Sequence, residues 1–271
     1  MSERADRVQL GSKLLELVDT HCHLDDESYA KDIDRVLDDS RALGVSRWIV
    51  VGFAPGRWAT TLDVVRGVAG MSHMLGVHPG HASEWSSAVA ARLGSLVATT
   101  RPVAIGEIGI DLFRGETNIS QQLSAFDAQL DLALDHGLPA VIHMRSAETE
   151  VLNLILSREA LPHLVFHSFD GSARLRDVIL ERCFTIGFGG LATKGPAADL
   201  REVIKTIPLG QIVLETDAPY LTPRGVKGSR NVPGNIPIIA GFLAGLLNTS
   251  VPEVARVTTD NAERVFGLIR G

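Results

Sequence analysis

Short apolar segments alternate with amphipathic helical segments along almost the whole chain, and this alternation constrains the fold more than any other feature. The apolar runs are rich in Val and Ile and show no polar alternation, which is typical of parallel strands buried on both faces. Eight such units, each followed by a helical stretch, predict an α/β fold of the (β/α)8 TIM-barrel type. The eight predicted strands are residues 14–18, 47–52, 73–78, 102–107, 138–143, 164–167, 184–187 and 212–215.

The helical segments complete this pattern. Ser83 is predicted to cap a helix that runs to residue 96, and Ser250 to cap the last helix, at 252–268. The other helices are predicted at 27–43, 57–69, 120–136, 148–157, 173–182, 197–206 and 238–248. No Pro- or Ser-rich linker divides the 271 residues, so we expect a single barrel domain over 1–271, with residues 1–13 as an N-terminal extension.

Composition excludes several classes of protein. A net charge of -6 argues against a broad basic surface for nucleic acid, although a local basic patch is compatible with it. The only cysteines are Cys22 and Cys183, which favours a reducing compartment. The first residues lack the pattern of a secretory signal, and the apolar runs are too short to span a membrane, so we expect a cytoplasmic protein without a membrane partner. No G-x-G-x-x-G turn follows the first strand, which argues against a dinucleotide cofactor.

Metal-capable side chains stand at the carboxyl ends of most predicted strands, the rim where barrel enzymes carry their sites. His21 and His23 share one face of the first strand because side chains alternate along a strand. Each such residue alone has a structural explanation, such as a hydrogen-bonded histidine or a turn-forming aspartate. Their occurrence at one rim predicts a metal centre. The set is His21, His23, His78, Glu107, His143, His167 and Asp217.

Even four of these histidines with the two carboxylates are too many for one tetrahedral zinc ion, and they suit two divalent ions. Glu107 is expected to bridge the two ions because it emerges midway between the other ligand strands. A metal-activated water is then expected to attack the substrate, with Asp217 accepting its proton. The donor set accepts Mg²⁺, Mn²⁺ or Zn²⁺ and does not discriminate among them.

Six short stretches resemble the TatD family of metal-dependent hydrolases, which belongs to the amidohydrolase-like barrels. They run in family order and cover the chain from about residue 18 to its end. As they stand here, they are D-T-H-C-H-L-D at 19–25, G-V-H-P at 76–79, G-E-I-G-I-D at 106–111, V-I-H-M-R at 141–145, F-H-S-F-D-G at 166–171 and E-T-D-A-P-Y-L-T-P at 215–223.

The resemblance implies hydrolysis of phosphodiester bonds, as a deoxyribonuclease of the 3'-5' exonuclease type, with DNA or a small phosphodiester as substrate. It also implies ligand sets for two metals: His21, His23 and Asp217 for one, and His143 and His167 for the other, with Glu107 between them. His78 resembles the family's substrate-facing histidine. Arg145 and Arg230 are expected to contact substrate, with Arg114, Arg224 and Lys227 adding positive charge at the mouth.

The chain departs from the family pattern in three places, and all are predicted to lie in loops. Val232 stands where many members carry Glu, Leu112-Phe113 replaces a paired tyrosine, and Asp170 replaces a small polar residue. Two other functions stay open from the sequence. The same ligands can hydrolyse an ester, lactone or amide, and a metal-binding scaffold without catalysis is the third hypothesis.

Overall fold

The strands of the barrel follow one another in chain order. The computed structural model describes residues 9–10, 13–14, 16–113 and 118–269. Two short strands, β1 (Gln9–Leu10) and β2 (Lys13–Leu14), pair antiparallel, and all later strands pair parallel in the order β3 to β10. The later strands are β3 (Leu17–Cys22), β4 (Val45–Gly52), β5 (Met71–Leu75), β6 (Ile105–Asp111), β7 (Ala140–Arg145), β8 (Leu164–Phe166), β9 (Thr185–Phe188) and β10 (Ile212–Leu214). The predicted TIM barrel is confirmed.

Helices connect the strands and cover the outside of the barrel. They are α1 (Ile33–Ala42), α2 (Trp58–Val65), α3 (Ser87–Thr100), α4 (Ile119–Asp135), α5 (Glu148–Ser157), α6 (Ala173–Glu181), α7 (Ala198–Ile204), α8 (Ile236–Leu247) and α9 (Val251–Phe266). Short 3-10 helices lie at Glu27–Tyr29, Pro79–Glu84, Gly190–Thr193, Leu209–Gln211 and Pro233–Asn235. Within the described ranges no single helix is long and apolar enough to cross a membrane, and the pair that reaches this length together is bent by 109°.

Two predicted helix starts are wrong, and local capping explains both. Residues 27–29 form a 3-10 helix capped by Asp26, and α1 begins only at Ile33. Ser83 lies inside the 3-10 helix that begins at Pro79, and Ser86 caps α3 instead. The cap predicted at Ser250 is confirmed, since its side chain accepts a hydrogen bond from the Glu253 backbone N–H.

Three predicted strand ends are also wrong, and one of them belongs to β5, which ends at Leu75 instead of residue 78. β3 continues to Cys22 and β6 to Asp111, so that Glu107 lies within its strand. The hydrophobic pattern of the sequence places the end of the first strand before Asp19. In the structure this carboxylate is completely buried, and it accepts hydrogen bonds from the N–H and hydroxyl groups of Thr216 at 2.9 and 2.5 Å. A buried polar group with partners is tolerated inside a strand, and apolar periodicity does not detect it.

The barrel closes between β3 and β10 through a few backbone contacts near the carboxyl ends of these strands, rather than through a long strand ladder. β10 ends at Leu214, and an isolated bridge joins Cys22 to Ala218. The backbone N–H of Asp217 donates to the His21 carbonyl at 2.9 Å, and that of His23 to the Ala218 carbonyl at 2.7 Å. The seam of the barrel therefore places the loop after β10 directly against the end of β3.

Candidate active site

Glu107 stands at the centre of a cluster of imidazoles, with only 4% of its surface exposed. Its Oε1 atom lies 2.6 Å from His143 Nδ1 and 3.8 Å from His167 Nε2. Its Oε2 atom lies 3.4 Å from His21 Nε2. The two carboxylate oxygens therefore face two different groups of histidines, which is the arrangement that a bridging carboxylate requires.

The first group combines the end of β3 with the loop after β10. His23 Nε2 lies 3.2 Å from Asp217 Oδ1, and His21 Nε2 lies 3.8 Å from the same oxygen. Asp217 has a left-handed backbone with φ of 57°, a conformation that Asp adopts more readily than most residues. The seam hydrogen bond from its N–H to His21 holds it there. One atom from each of these three residues lies within 4.8 Å of the others.

The second group contains two histidines, each backed by a carboxylate. His143 Nε2 lies 3.1 Å from Asp111 Oδ2, and His167 Nδ1 lies 3.0 Å from Glu215 Oε1. Such outer carboxylates orient a metal-binding imidazole and increase its basicity. Sequence reasoning missed Asp111 and Glu215 as site residues. The available signal was strand alternation, since Asp111 shares a face with Glu107 on β6.

The side chains of this cluster fit divalent cations. His21 is completely buried, and neither of its ring nitrogens has a hydrogen-bond partner among the described residues. An imidazole buried in this way is costly unless another group satisfies it. Imidazole and carboxylate donors together suit Mg²⁺, Mn²⁺ and Zn²⁺. Candidate donor atoms lie within 4.8 Å of one another in three groups, which are His21, His23 and Asp217; His78, Glu107 and His143; and His21, His167 and Glu215.

Electrostatics in the cluster favour added positive charge. Burial opposes protonation of His143, but Glu107 and Asp111 raise its pKa to about 9. Burial likewise opposes protonation of His167, but Glu215 and Glu107 raise its pKa to about 10. Burial acts to raise the pKa of Glu107, yet the surrounding histidines hold it well below its usual range. The buried carboxylates therefore make the electrostatic potential of the cluster negative, and bound cations would offset this negative charge.

His78 differs from the other histidines in its hydrogen bonding. Its Nδ1 atom accepts a hydrogen bond from the backbone N–H of Gly80 at 2.9 Å. Burial lowers the pKa of His78 to about 4, so the ring is neutral and carries its proton on Nε2. That Nε2–H group lies 3.8 Å from Glu107 Oε1. A protonated Nε2 has no lone pair for a metal, and His78 is therefore a hydrogen-bond donor rather than a ligand.

The arginines expected at the mouth separate into distinct roles. Arg145 lines the cavity, and its guanidinium lies 3.7 Å from the centroid of the Phe113 ring. Arg230 is engaged elsewhere, because its guanidinium binds Asp32 through both nitrogens at 2.8 and 2.7 Å. We therefore assign Arg230 to the fold and not to substrate. Arg224 and Lys227 are exposed, and Arg114 lies outside the described residues.

The three departures from the family pattern also have definite places. Val232 packs against the apolar core, away from the lining of the cavity as far as the described residues show it. Asp170 is exposed, and Phe113 is exposed beside Arg145. Two further histidines, His73 and His163, lie within hydrogen-bond distance of Thr100 and Thr185 and are not among the described residues that line the cavity.

A cavity of about 420 Å³ opens over the cluster at the carboxyl ends of the strands. This volume lies within the range of small-molecule sites. Its lining residues are His23, Phe53, His78, Gly80, His81, Glu107, Asp111, His143, Arg145, His167, Asp217 and Tyr220.

Comparison with known families identifies the barrel. The family model described as TatD related DNase matches residues 18–267. The chain belongs to the TatD family. The resemblance noted from the short motifs is thereby confirmed over nearly the whole chain, and with it the prediction of a hydrolase.

Individual TatD relatives agree in sequence and in structure. The "3'-5' ssDNA/RNA exonuclease TatD" of Erwinia amylovora is 35% identical over 93% of this chain and 100% of the relative. The "Uncharacterized metal-dependent hydrolase YabD" of Bacillus subtilis is 33% identical over 93% of this chain and 99% of the relative. The crystal structure of the TatD homologue YjjV from Escherichia coli superposes with a TM-score of 0.88 at 29% identity, covering 94% of this chain and 99% of that one.

Proposed function

We propose that this chain is a metal-dependent exonuclease that removes nucleotides from the 3' end of single-stranded DNA or RNA. The observation that carries the proposal is the position of Glu107, whose two oxygens face two groups of histidines on the floor of one cavity. The names of relatives that match 93% of the chain supply the class of substrate and the direction.

We assign the donor residues to two cations. His21, His23 and Asp217 would hold one cation, and His143 and His167 would hold the other, with the Glu107 carboxylate between the two groups. When bound, two divalent ions stabilise the attacking and leaving oxygens of a phosphodiester and lower the pKa of water.

Asp217 is the proposed base for the attacking water. Burial acts to raise its pKa, but the hydrogen bond to His23 and the nearby imidazoles lower it, so that the carboxylate is ionised and able to accept a proton. His78 donates its Nε2–H to a phosphoryl oxygen. The Gly80 N–H donates to Nδ1 of the same ring and so leaves the proton on Nε2 for this role. The guanidinium of Arg145 supplies a fixed positive charge for the phosphate at the cavity wall.

The cavity also explains attack at a chain end. Its floor is the buried centre of a closed barrel, so a polynucleotide enters and leaves by the same mouth. A volume of about 420 Å³ accommodates a terminal nucleotide rather than a continuous duplex. Because Cys22 and Cys183 are both free and Cys183 is exposed, we place the enzyme in the reducing cytoplasm.

The deciding experiment strips the protein with a chelator and restores Mg²⁺, Mn²⁺ or Zn²⁺ in turn. We expect stepwise shortening of 5'-labelled single-stranded DNA or RNA, restored by metal, and little cleavage of duplex. Glu107→Gln and Asp217→Asn are expected to abolish this activity with unchanged circular dichroism. Glu159→Gln, at an exposed site, is the matched control.

Two results would overturn the proposal. Full nuclease activity in Glu107→Gln would remove the central carboxylate from the mechanism. Metal-dependent cleavage of carboxylic esters or lactones with no cleavage of any phosphodiester would move the same centre to carbonyl hydrolysis.

A further inference from the structure

Two exposed aromatic side chains lie near the cavity, because Tyr220 lines it and Phe113 packs against Arg145, which also lines it. Phe113 is 60% exposed and Tyr220 is 54% exposed. The other large exposed hydrophobic side chains of the described residues are the aliphatic Leu43, Leu156, Ile238 and Ile269. An exposed ring loses the stabilisation that burial would give it, and two rings at one mouth therefore point to a ligand that covers them.

The topology sets the two rings on opposite sides of the mouth. Phe113 follows β6, the fourth strand of the eight-stranded barrel, and Tyr220 follows β10, the eighth. Three strands lie between these positions in either direction around the closed barrel. The metal-binding cluster lies on the floor between them.

Tyr220 is held in place although its ring is exposed. Its backbone N–H donates to the Asp217 carbonyl at 2.7 Å, and its own carbonyl accepts from the buried Asn231 side chain at 2.7 Å. Its ring meets the His23 ring edge to face at 5.7 Å between centroids. Little conformational entropy remains to be lost when a flat group stacks on this ring.

Phe113 packs against the positively charged side chain of Arg145, which reaches the cavity. One face of its ring carries the Arg145 guanidinium at 3.7 Å, and Arg145 lines the cavity wall. The Phe113 N–H donates to Asp111 Oδ1 at 2.9 Å, which ties the ring to the strand that carries Glu107. A flat ring beside a guanidinium suits a nucleotide, whose base stacks and whose phosphate takes the charge.

We propose that Tyr220 and Phe113 are base-stacking residues that hold the nucleobases on either side of the scissile phosphodiester. This inference rests on the proposed nuclease function and deepens it. Tyr220 stacks on one base next to His23, and Phe113 stacks on the other while it orients Arg145 toward the phosphate. The bases must be unpaired to spread across the mouth, which selects single strands.

The test compares ring removal with base removal. Tyr220→Ala and Phe113→Ala are assayed with a single-stranded oligonucleotide and with the same oligonucleotide carrying tetrahydrofuran abasic residues at its last two 3' positions. Tyr220→Phe and Phe113→Tyr keep the rings and serve as matched controls. Melting temperatures establish that all four variants fold.

We expect each Ala variant to raise KM for the normal oligonucleotide by about 5- to 150-fold, with kcat changed much less. The ring-retaining controls should match the parent. Abasic residues should raise KM for the parent by a similar factor, and the two losses should not multiply, because a missing ring and a missing base remove the same contact.

Unchanged KM in both Ala variants, or losses that multiply, would overturn the inference while the parent still degrades the normal oligonucleotide. Failure of the parent to degrade the normal oligonucleotide with any metal would instead overturn the proposed function. The two failures are therefore distinguished by the parent alone.

Discussion

Glu215 shows how one buried carboxylate controls a neighbour at the scale of the residue. Only 2% of its surface is exposed. Its Oε1 atom accepts the Ser168 N–H at 2.5 Å and lies 3.0 Å from His167 Nδ1. A carboxylate on Nδ1 directs the proton there and leaves Nε2 for a cation.

Glu215→Gln is expected to lower metal affinity or activity by about 10- to 100-fold, because the amide no longer fixes the His167 ring as an anion does. Calorimetric titration with Mn²⁺ and single-turnover cleavage measure the two effects. Glu202→Gln, at an exposed residue, is the control. Parent-like metal affinity together with parent-like cleavage would show that His167 needs no such partner.

His73 provides a pH test at a distance from the cavity. Burial lowers its pKa to about 4, and its Nε2 lies 3.0 Å from Thr100 Oγ1. In the unfolded chain the His73 ring binds a proton near pH 6.5, whereas in the folded chain it does so only near pH 4. The contribution of His73 to the free energy of unfolding is therefore fully present above pH 6.5, and the free energy of unfolding falls as pH decreases toward 4.

We expect His73→Gln to reduce this acid sensitivity, by at most about 1.4 kcal/mol per pH unit in the free energy of unfolding. Urea denaturation in chelator at pH 7.5, 5.5 and 4.5 measures it. His136→Gln, at an exposed histidine, is the matched control. Identical slopes in the parent and His73→Gln would exclude a contribution from this ring.

At the scale of the element, strand β9 contributes space for the Glu215 side chain rather than a metal-binding side chain. A Cβ atom at Gly187 would lie 2.1 Å from Glu215 Oε2. The strand therefore needs glycine so that the carboxylate can lie between β9 and His167. Neither hydrophobicity nor strand propensity marks this requirement in the sequence.

Gly187→Ala is expected to displace Glu215, to reduce cleavage at least tenfold through His167, and to cost about 1–3 kcal/mol of stability by overpacking. Cleavage kinetics and urea denaturation measure the two effects. Gly195→Ala is the matched control, because nothing lies within 4 Å of its added Cβ. Parent-like kinetics in Gly187→Ala would mean that β9 yields without moving Glu215.

At the scale of the whole molecule, the site and the closure of the barrel share residues. Asp19 binds Thr216, and His21 and His23 bind the backbone of the loop that carries Asp217. A cation held by His21, His23 and Asp217 would therefore connect the first barrel strand with the loop after the last one. Its binding is coupled to the stability of the entire fold.

Divalent metal is accordingly expected to stabilise the protein by about 2.7 kcal/mol at 100 times its dissociation constant, or about 5–10 °C in Tm. Thermal melts in chelator and in increasing Mn²⁺ measure the shift. Asp217→Asn should show a much smaller increase. Equal melting temperatures with and without metal would separate the site from the fold.

The sequence alone determined the barrel, because buried parallel strands and amphipathic helices leave local periodic patterns. It also determined the rim residues, since parallel strands bring their carboxyl ends together. It placed His21, His23, Glu107, His143, His167 and Asp217 at that rim, and the structure brings their side chains together.

Only the tertiary structure decided which groups touch across the barrel. Asp111 contacts His143 on the neighbouring strand, Glu215 reaches His167 across β9, Gly187 leaves room for Glu215, and Arg230 turns to Asp32 instead of the cavity. These relations join residues that are distant along the chain, and their energies depend on distance and burial. A local pattern contains neither quantity, so such contacts become visible only when the chain is folded.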